Sequence, residues 1–138
     1  MNQKNIVDVA LTFIEKINHR NFDGLLKIMS LDHKAIDEAG GVTAGSEKAV
    51  KIIADYITQR PNFQIHINDV YFKNDIVIII GRTTGSCAET SYDTEIKDKL
   101  IYVLKVENEK VTEFRYALKY DDKTTSDLDI ASAIKITE

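Results

Sequence analysis

The spacing of apolar residues changes once along this chain of 138 residues, and the change falls at its only proline, Pro61. Before Pro61, apolar residues recur every three or four positions, as they do on one face of an amphipathic helix. After Pro61 they alternate with polar residues, as they do on a strand with one buried face. Helices followed by a run of strands indicate an α+β domain, with the helices packed on one face of an antiparallel sheet.

Three helices are predicted before Pro61. The first carries its apolar stripe from Ile6 to Ile17. The second follows Asn21, and the third begins at Ser46 and ends before Pro61; both Asn21 and Ser46 are residue types that cap helix N-termini. Between these two helices we expect a short strand around residues 34–37 and a glycine-containing loop.

Four strands joined by polar turns are predicted after Pro61. They span 63–67, 76–86, 99–107 and 111–119, with a longer polar connection over 87–97. The apolar residues of the last segment, 121–138, fit a helix or a strand equally well. Because the chain has no internal repeat or linker, we expect one domain over residues 1–120, with 121–138 as its C-terminal tail.

Composition excludes several classes of protein. The net charge is −4 and the basic residues are scattered among acids, so no basic stripe is present to bind nucleic acid. The longest aliphatic run, Ile76 to Ile80, is far shorter than the ~20 residues of a membrane span. The single cysteine, Cys87, and an N-terminus interrupted by Asp8 and Glu15 predict a cytoplasmic protein without a signal peptide. No metal-ligand spacing is present, and we expect neither a metal nor a cofactor.

Three stretches carry a resemblance to known proteins: residues 12–26 (TFIEKINHRNFDGLL), 36–40 (IDEAG) and 45–50 (GSEKAV). With them the chain resembles the nuclear-transport-factor-two-like superfamily, which includes SnoaL-like proteins and ketosteroid isomerases. The resemblance implies a cone-shaped, curved antiparallel sheet packed around the N-terminal helices, the cystatin-like α+β barrel. It also implies a conical cavity for an apolar small molecule, and a homodimer formed through the open face of the sheet.

The resemblance places the general base of the isomerases at Asp37. That chemistry needs a carboxylate in a mostly apolar cavity, where it takes a proton from carbon without competition from water. The isomerases bind the resulting oxyanion with a tyrosine and a protonated aspartic acid. Here the tyrosine position is Phe13, and the acid position falls near Ile101 or Tyr102. The complete isomerase apparatus is therefore missing.

The cavity should be lined by side chains from both the helices and the sheet. The expected lining is Phe13, Ile14, Ile17, Met29, Tyr56, Phe114, Tyr116 and Leu118, with Asp37 at the wall. Tyr102 and Tyr116 are further candidates because each can donate a hydrogen bond to a ligand oxygen. Simple packing within the sheet is the alternative for both tyrosines. His33 is interpreted as an exposed loop histidine, and not as a partner of Asp37.

Two functions from different classes stay open. One is an enzyme of isomerase or cyclase type that transfers a proton on an apolar carbonyl compound without a cofactor, with Asp37 as general base. The other is a non-catalytic module that binds a hydrophobic ligand or dimerises through its sheet. Phe13 and the missing second acid favour the module. Asp37 itself has an alternative role as an ordinary turn residue before Gly40.

Overall fold

The computed structural model describes residues 3–85 and 99–136, and it confirms the predicted α+β class. The predicted connection 87–97, with Cys87, lies outside the described residues. The helices are α1 (Gln3–Asn18), α2 (Phe22–Lys27), α3 (Ser46–Thr58) and α4 (Asp122–Asp127). The strands are β1 (Met29–Ile36), β2 (Val42–Ala44), β3 (Gln64–Lys73), β4 (Ile76–Thr84), β5 (Leu100–Glu107), β6 (Lys110–Lys119) and β7 (Ile134–Ile136). In the part of the chain covered by these ranges, no helix is long and apolar enough to cross a membrane.

The seven strands form one sheet in the order β2-β1-β6-β5-β4-β3-β7. Strands β3 to β6 form the predicted antiparallel meander, but β1 runs parallel to β6. Strand β1 is also longer than the strand predicted over 34–37. The full length of β1 is hard to predict from the sequence, because His33 and Ala35 occupy two of its inward positions and the strand lacks a clear apolar alternation.

Helix α1 packs against the concave face of this sheet. Its stripe is buried as the spacing predicted. The buried members of the stripe are Ile6, Val7, Ala10, Phe13, Ile14 and Ile17. They contact inward residues of the central strands, such as Val77 and Ile79 on β4 and Leu104 on β5. This layer is the main hydrophobic core, and some of its residues, such as Ile17, Tyr102 and Phe114, also line the site described below.

The N-terminal cap of α2 is the predicted residue, whereas that of α3 is not. The Asn21 side chain accepts a hydrogen bond from the Gly24 backbone N–H at 2.9 Å, which confirms Asn21 as the cap of α2. The predicted cap Ser46 is wrong: Ser46 is the first residue of α3, and Gly45 is the cap. Strand β2 turns into α3 at Gly45 with φ of 104°, a left-handed conformation that glycine adopts without steric cost.

A bulge in β6 changes the side on which its last residues lie. Ile101 pairs with Leu118 and Val103 pairs with Arg115, so β6 holds one more residue than β5 over this interval. Ala117 takes up the extra length with φ of 60°. Because a strand alternates sides at every residue, the insertion turns Leu118 to the outer face. The prediction that Leu118 lines the cavity is therefore wrong.

At a second bulge, the backbones of β3 and β4 approach each other closely. The pairing shifts by one residue between Ile67 and Asp69 on β3, opposite Gly81 on β4. A Cβ atom on Gly81 would lie 2.2 Å from the carbonyl oxygen of His66. Only glycine allows this approach of the two backbones.

The C-terminal tail covers the outer face of the sheet. Five residues are buried there: Ile78, Ile80, Ile101, Val103 and Leu118. Leu128 and Ile130 of the tail pack against them, and β7 then pairs with β3 at the sheet edge. Lys73 forms an ion pair with Asp129 at 2.9 Å. The tail, for which helix and strand were both open, contains helix α4, a 3₁₀ helix over Ile130–Ser132 and strand β7.

Candidate functional site

A cavity of about 380 Å³ lies at one end of the concave face, between α1, α3 and strands β3 to β6. Most of its lining is aliphatic or aromatic, and its polar side chains are those of Asp37, Glu38, Thr83 and three tyrosines. A wider groove of about 640 Å³ lies at the opposite end of the sheet, beside Lys73, Asp75 and Glu107. None of the site residues predicted from the sequence lines that groove.

The cavity brings together six of the residues singled out in the sequence. They are Ile17, Asp37, Tyr56, Tyr102, Phe114 and Tyr116. Phe13, Ile14 and Met29, also predicted for the wall, lie instead in the core. Phe13 is 0% exposed and packs against Phe114, with the ring centroids 4.8 Å apart. It supports the cavity from behind, because it lies one helical turn before Ile17 on the same face of α1.

Asp37 is a turn residue and also part of the cavity wall. It follows β1, and its Oδ1 accepts hydrogen bonds from the backbone N–H groups of Ala39 at 3.0 Å and Gly41 at 2.8 Å. These bonds close the turn into β2. The same half-buried side chain lines the cavity. A Cβ atom at Gly41 would lie 2.7 Å from Asp37 Oδ2, so a larger residue at that position would require the carboxylate to shift.

Three aromatic rings form a continuous wall along β5 and β6. Tyr102 stacks on Phe114 with the centroids 6.0 Å apart and the planes at 8°. Phe114 also contacts Tyr116, with a centroid distance of 5.6 Å. Tyr56 of α3 lies against Phe63 in an edge-to-face arrangement. The alternation of β5 and β6 turns these rings inward, as the sequence pattern implied for Tyr102 and Tyr116.

The tyrosine hydroxyls are held in their protonated form. Burial, and to a lesser extent the nearby Tyr56, raises the pKa of Tyr102 well above its usual range. Burial also raises the pKa of Tyr116, and the charge of Asp37 adds to that effect. A protonated phenol in a site of low polarity donates a strong hydrogen bond to an oxygen that gains negative charge. The cavity lining therefore offers a carboxylate and hydrogen-bond donors.

His33 was predicted to be exposed, and that prediction is wrong because β1 extends through it and turns its ring inward. It is 0% exposed, and its Nδ1 lies 2.8 Å from the Val111 carbonyl oxygen, to which it donates as an N–H. Its ring stacks on Phe13. Burial lowers the pKa of His33, although the Val111 bond and the charges of Glu113 and Asp32 oppose the shift. His33 is not among the cavity-lining residues.

The other histidines do not join the site. His19 is exposed, whereas His66 is half-buried and its Nε2 lies 2.9 Å from the Thr84 hydroxyl. Over residues 3–85 and 99–136, no group of three or more His, Cys, Asp or Glu side chains is arranged to hold a metal ion.

Comparison with known proteins identifies the class of fold. No family model and no curated protein matches the sequence. A protein of unknown function from Cytophaga hutchinsonii, described as nuclear-transport-factor-two-like, is 15% identical with a TM-score of 0.65, over 88% of this chain and 94% of that one. A Jannaschia protein assigned to the SnoaL-like polyketide cyclases is 16% identical with a TM-score of 0.66, over 94% and 93%. TerC, crystallised with polyporic acid, is 15% identical with a TM-score of 0.66, over 91% and 97%.

These likenesses show that the chain has the nuclear-transport-factor-two-like fold, as the resemblance of residues 12–26 and 36–40 implied. The strands and helices that surround the cavity are therefore those of a fold shared with SnoaL-like and ketosteroid-isomerase-like proteins. A shared fold does not carry a shared reaction with it, so the function has to be argued from the cavity itself.

Proposed function

We propose that this chain binds an apolar carbonyl compound in the cavity, and that Asp37 accepts a proton from the carbon next to the carbonyl. The observation that carries the proposal is the presence of the Asp37 carboxylate and the protonated Tyr102 phenol on the wall of one mostly apolar cavity. Its volume, about 380 Å³, is within the usual range of ~300–1,000 Å³ for small-molecule sites. TerC, of the same fold, was crystallised with polyporic acid.

The proposed step is a proton transfer. An oxygen of the Asp37 carboxylate takes the proton from the α-carbon, and the electron pair of the broken C–H bond moves towards the carbonyl oxygen to form an enolate. The Tyr102 hydroxyl donates a hydrogen bond to that oxygen, and its high pKa keeps it from losing its own proton. Return of the proton from Asp37 to another carbon of the enolate completes an isomerisation.

The test is exchange of carbon-bound hydrogen, which needs no knowledge of the product. Cyclic ketones that raise the melting temperature of the protein are incubated with it in D₂O, and deuterium at the α-carbon is followed by NMR. We expect the protein to accelerate exchange, and Asp37→Asn to lower that acceleration by about 10²–10⁴-fold, the usual contribution of a general base. The asparagine oxygen still accepts the turn hydrogen bonds from Ala39 and Gly41, so the fold should be retained.

Asp32→Asn is the matched control, because Asp32 is an exposed carboxylate on β1 outside the cavity lining. It should leave exchange unchanged. Equal exchange rates in wild type and Asp37→Asn would remove Asp37 from the mechanism.

The second candidate is a binding module without turnover. Two observations favour it: Oδ1 of Asp37 already accepts two turn hydrogen bonds, and the core residue Phe13 has no hydroxyl to offer a ligand. This function predicts that ketones raise the melting temperature equally in wild type and Asp37→Asn, with no deuterium exchange in either protein.

A further inference from the structure

The charged side chains that the structure describes in the cavity lining have the same sign. Among the lining residues that the structure describes, the charged ones are Asp37 and Glu38, and none is lysine, arginine or histidine. Arg60 is not a lining residue; its guanidinium lies over the Tyr56 ring, 3.9 Å from the centroid, and donates to the Tyr56 carbonyl oxygen. The half-enclosed space is therefore bordered by two negative charges.

The rest of the wall favours a positive group as well. The faces of aromatic rings carry negative electrostatic potential and attract ammonium groups. Tyr102, Phe114 and Tyr116 present such a continuous set of rings. Tyr116 lies close enough to Asp37 for the carboxylate charge to raise the phenol pKa. A cation beside Asp37 would thus meet a carboxylate and aromatic rings together.

A buried phenol gives separate evidence for a ligand. Tyr102 is 3% exposed and lines the cavity, and no hydrogen bond joins its hydroxyl to a residue in 3–85 or 99–136. The hydroxyl of a tyrosine this deeply buried normally has a hydrogen-bond partner, and that of Tyr102 is not among the fully buried atoms without one, so it is open to the cavity. An oxygen or nitrogen acceptor on a bound molecule would supply that partner.

From these features we infer that the ligand is an apolar compound bearing one protonated amine and a hydrogen-bond acceptor. The ammonium group lies at the carboxylate end of the cavity, beside Asp37 and Glu38. The acceptor lies against Tyr102, and the apolar body contacts Ile17 and Ile53. This inference rests on the proposed ligand-binding role of the cavity and is independent of turnover. A carboxylate or phosphate ligand of the same shape is rejected, because it would place like charges together in a poorly solvated space.

The experiment compares probes that share one apolar body and differ only in charge. 4-Phenylbutylamine, 4-phenylbutanol and 4-phenylbutanoate are titrated into the protein at pH 7 by calorimetry, with naphthyl analogues as a larger body. We expect the amine to bind about ten-fold tighter than the alcohol, consistent with a cation–π contact and a partly buried ion pair, and the carboxylate to bind weakest.

Charge removal then tests the cause of the preference. In the double variant Asp37→Asn, Glu38→Gln, the affinity for the amine should fall to that for the alcohol, while the affinity for the alcohol stays the same. The control is Asp32→Asn, Glu47→Gln, which removes two exposed carboxylates outside the lining and should keep the preference.

The outcomes separate this inference from the proposed function. Equal affinity for all three probes, or tightest binding of the carboxylate, would overturn the charge preference and leave the binding cavity standing. Persistence of the amine preference in the double variant would show that these two acids are not its source, and would also overturn the inference. If no probe bound in either series, the ligand-binding role itself would fail, and the inference would fail with it.

Discussion

His33 shows how one side chain replaces a missing part of the sheet. The pairing of β1 with β6 is irregular between Met29 and Lys34, and Val111 lies at the point where the regular ladder is interrupted. The Nδ1–H of His33 donates to the Val111 carbonyl oxygen there, inside the core. Its Nε2 has no hydrogen-bond partner among the described residues. The histidine is therefore neutral in the folded protein, and a second proton would have to be buried without a partner.

This arrangement predicts a loss of stability in mild acid. An unfolded histidine has a pKa of about 6.5, whereas burial lowers the pKa of folded His33. Below about pH 6.5 the unfolded chain thus binds a proton that the folded chain does not, so stability falls as pH falls. Above that pH the residue contributes no pH dependence. Over one pH unit below 6.5 we expect a loss approaching about 1 kcal/mol from this residue.

The measurement is urea unfolding of wild type and His33→Asn at pH 7.5, 6.5 and 5.5. Asparagine keeps a donor for the Val111 carbonyl oxygen but does not titrate. The variant should therefore have a flatter pH dependence, even if its stability at pH 7.5 is lower. Parallel curves for the two proteins would show that the folded protein accepts the proton at His33 without penalty.

At the scale of secondary structure, the β6 bulge shapes the cavity wall. It turns Leu118 outward, whereas Tyr116 faces inward by the ordinary alternation from Phe114, and Ala117 at the centre of the bulge also lines the cavity. Ala117 has φ of 60°, a conformation that costs an L-residue with a Cβ atom about 1–2 kcal/mol. Bulges are frequent beside ligand sites because they redirect single side chains.

Ala117→Gly should therefore stabilise the protein. Glycine removes the steric cost of the left-handed conformation, and this gain exceeds its loss of chain entropy on folding. We expect the free energy of unfolding to rise by about 0.5–1 kcal/mol. Ala44→Gly, at an exposed position on β2 without positive φ, is the matched control and should lower it. Equal destabilisation by both substitutions would mean that Ala117 is not strained.

The same strands show what the sequence could predict about the fold. The three helices and the meander β3 to β6 follow from the two apolar periods on either side of Pro61, because each of these elements has one face in the core. The full length of β1 was not predicted, because His33 and Ala35 occupy two of its inward positions and interrupt the apolar alternation. The face of the sheet on which Leu118 lies was predicted wrongly. A bulge depends on how two strands pair, and the sequence of β6 alone does not show that pairing.

The candidate site was predictable to a similar extent. Alternation along β5 and β6 was enough to turn Tyr102 and Tyr116 inward, and the resemblance over 36–40 was enough to locate Asp37 at the cavity wall. The inner limit of the cavity was not predictable. Phe13 lies on the same helical face as Ile17, and only the packing of Phe114 against Phe13 decides which of the two reaches the open space.

In the whole molecule, the sheet is buried on both sides at its centre. The uninterrupted aliphatic run from Ile76 to Ile80 is typical of a strand buried on both faces, because a strand with one solvated face has polar residues at every second position. Val77 and Ile79 face α1, while Ile78 and Ile80 face the tail. A homodimer through the open face of the sheet remains a prediction from the resemblance. In this chain the tail occupies that outer face, so pairing there requires the tail to move away.

Loosening the tail should therefore promote self-association. Leu128 and Ile130 hold the tail on the outer cluster, while its ion pair between Lys73 and Asp129 is largely exposed and contributes little. In Leu128→Ser, Ile130→Ser, the apolar outer residues lose their cover, and a second copy of the chain can bury them. Sedimentation velocity from about 5 to 200 μM should show a larger dimer fraction than wild type, corresponding to an association constant about ten-fold higher.

The control for this change is Ile134→Ser, which alters a tail residue that is 57% exposed and should leave association as in wild type. If the double variant instead sediments like wild type at every concentration, the outer face is not a surface for pairing. If wild type is already a full dimer over this range, the two copies pair through a surface other than the one the tail covers, because the tail and a partner cannot occupy the same apolar residues at once.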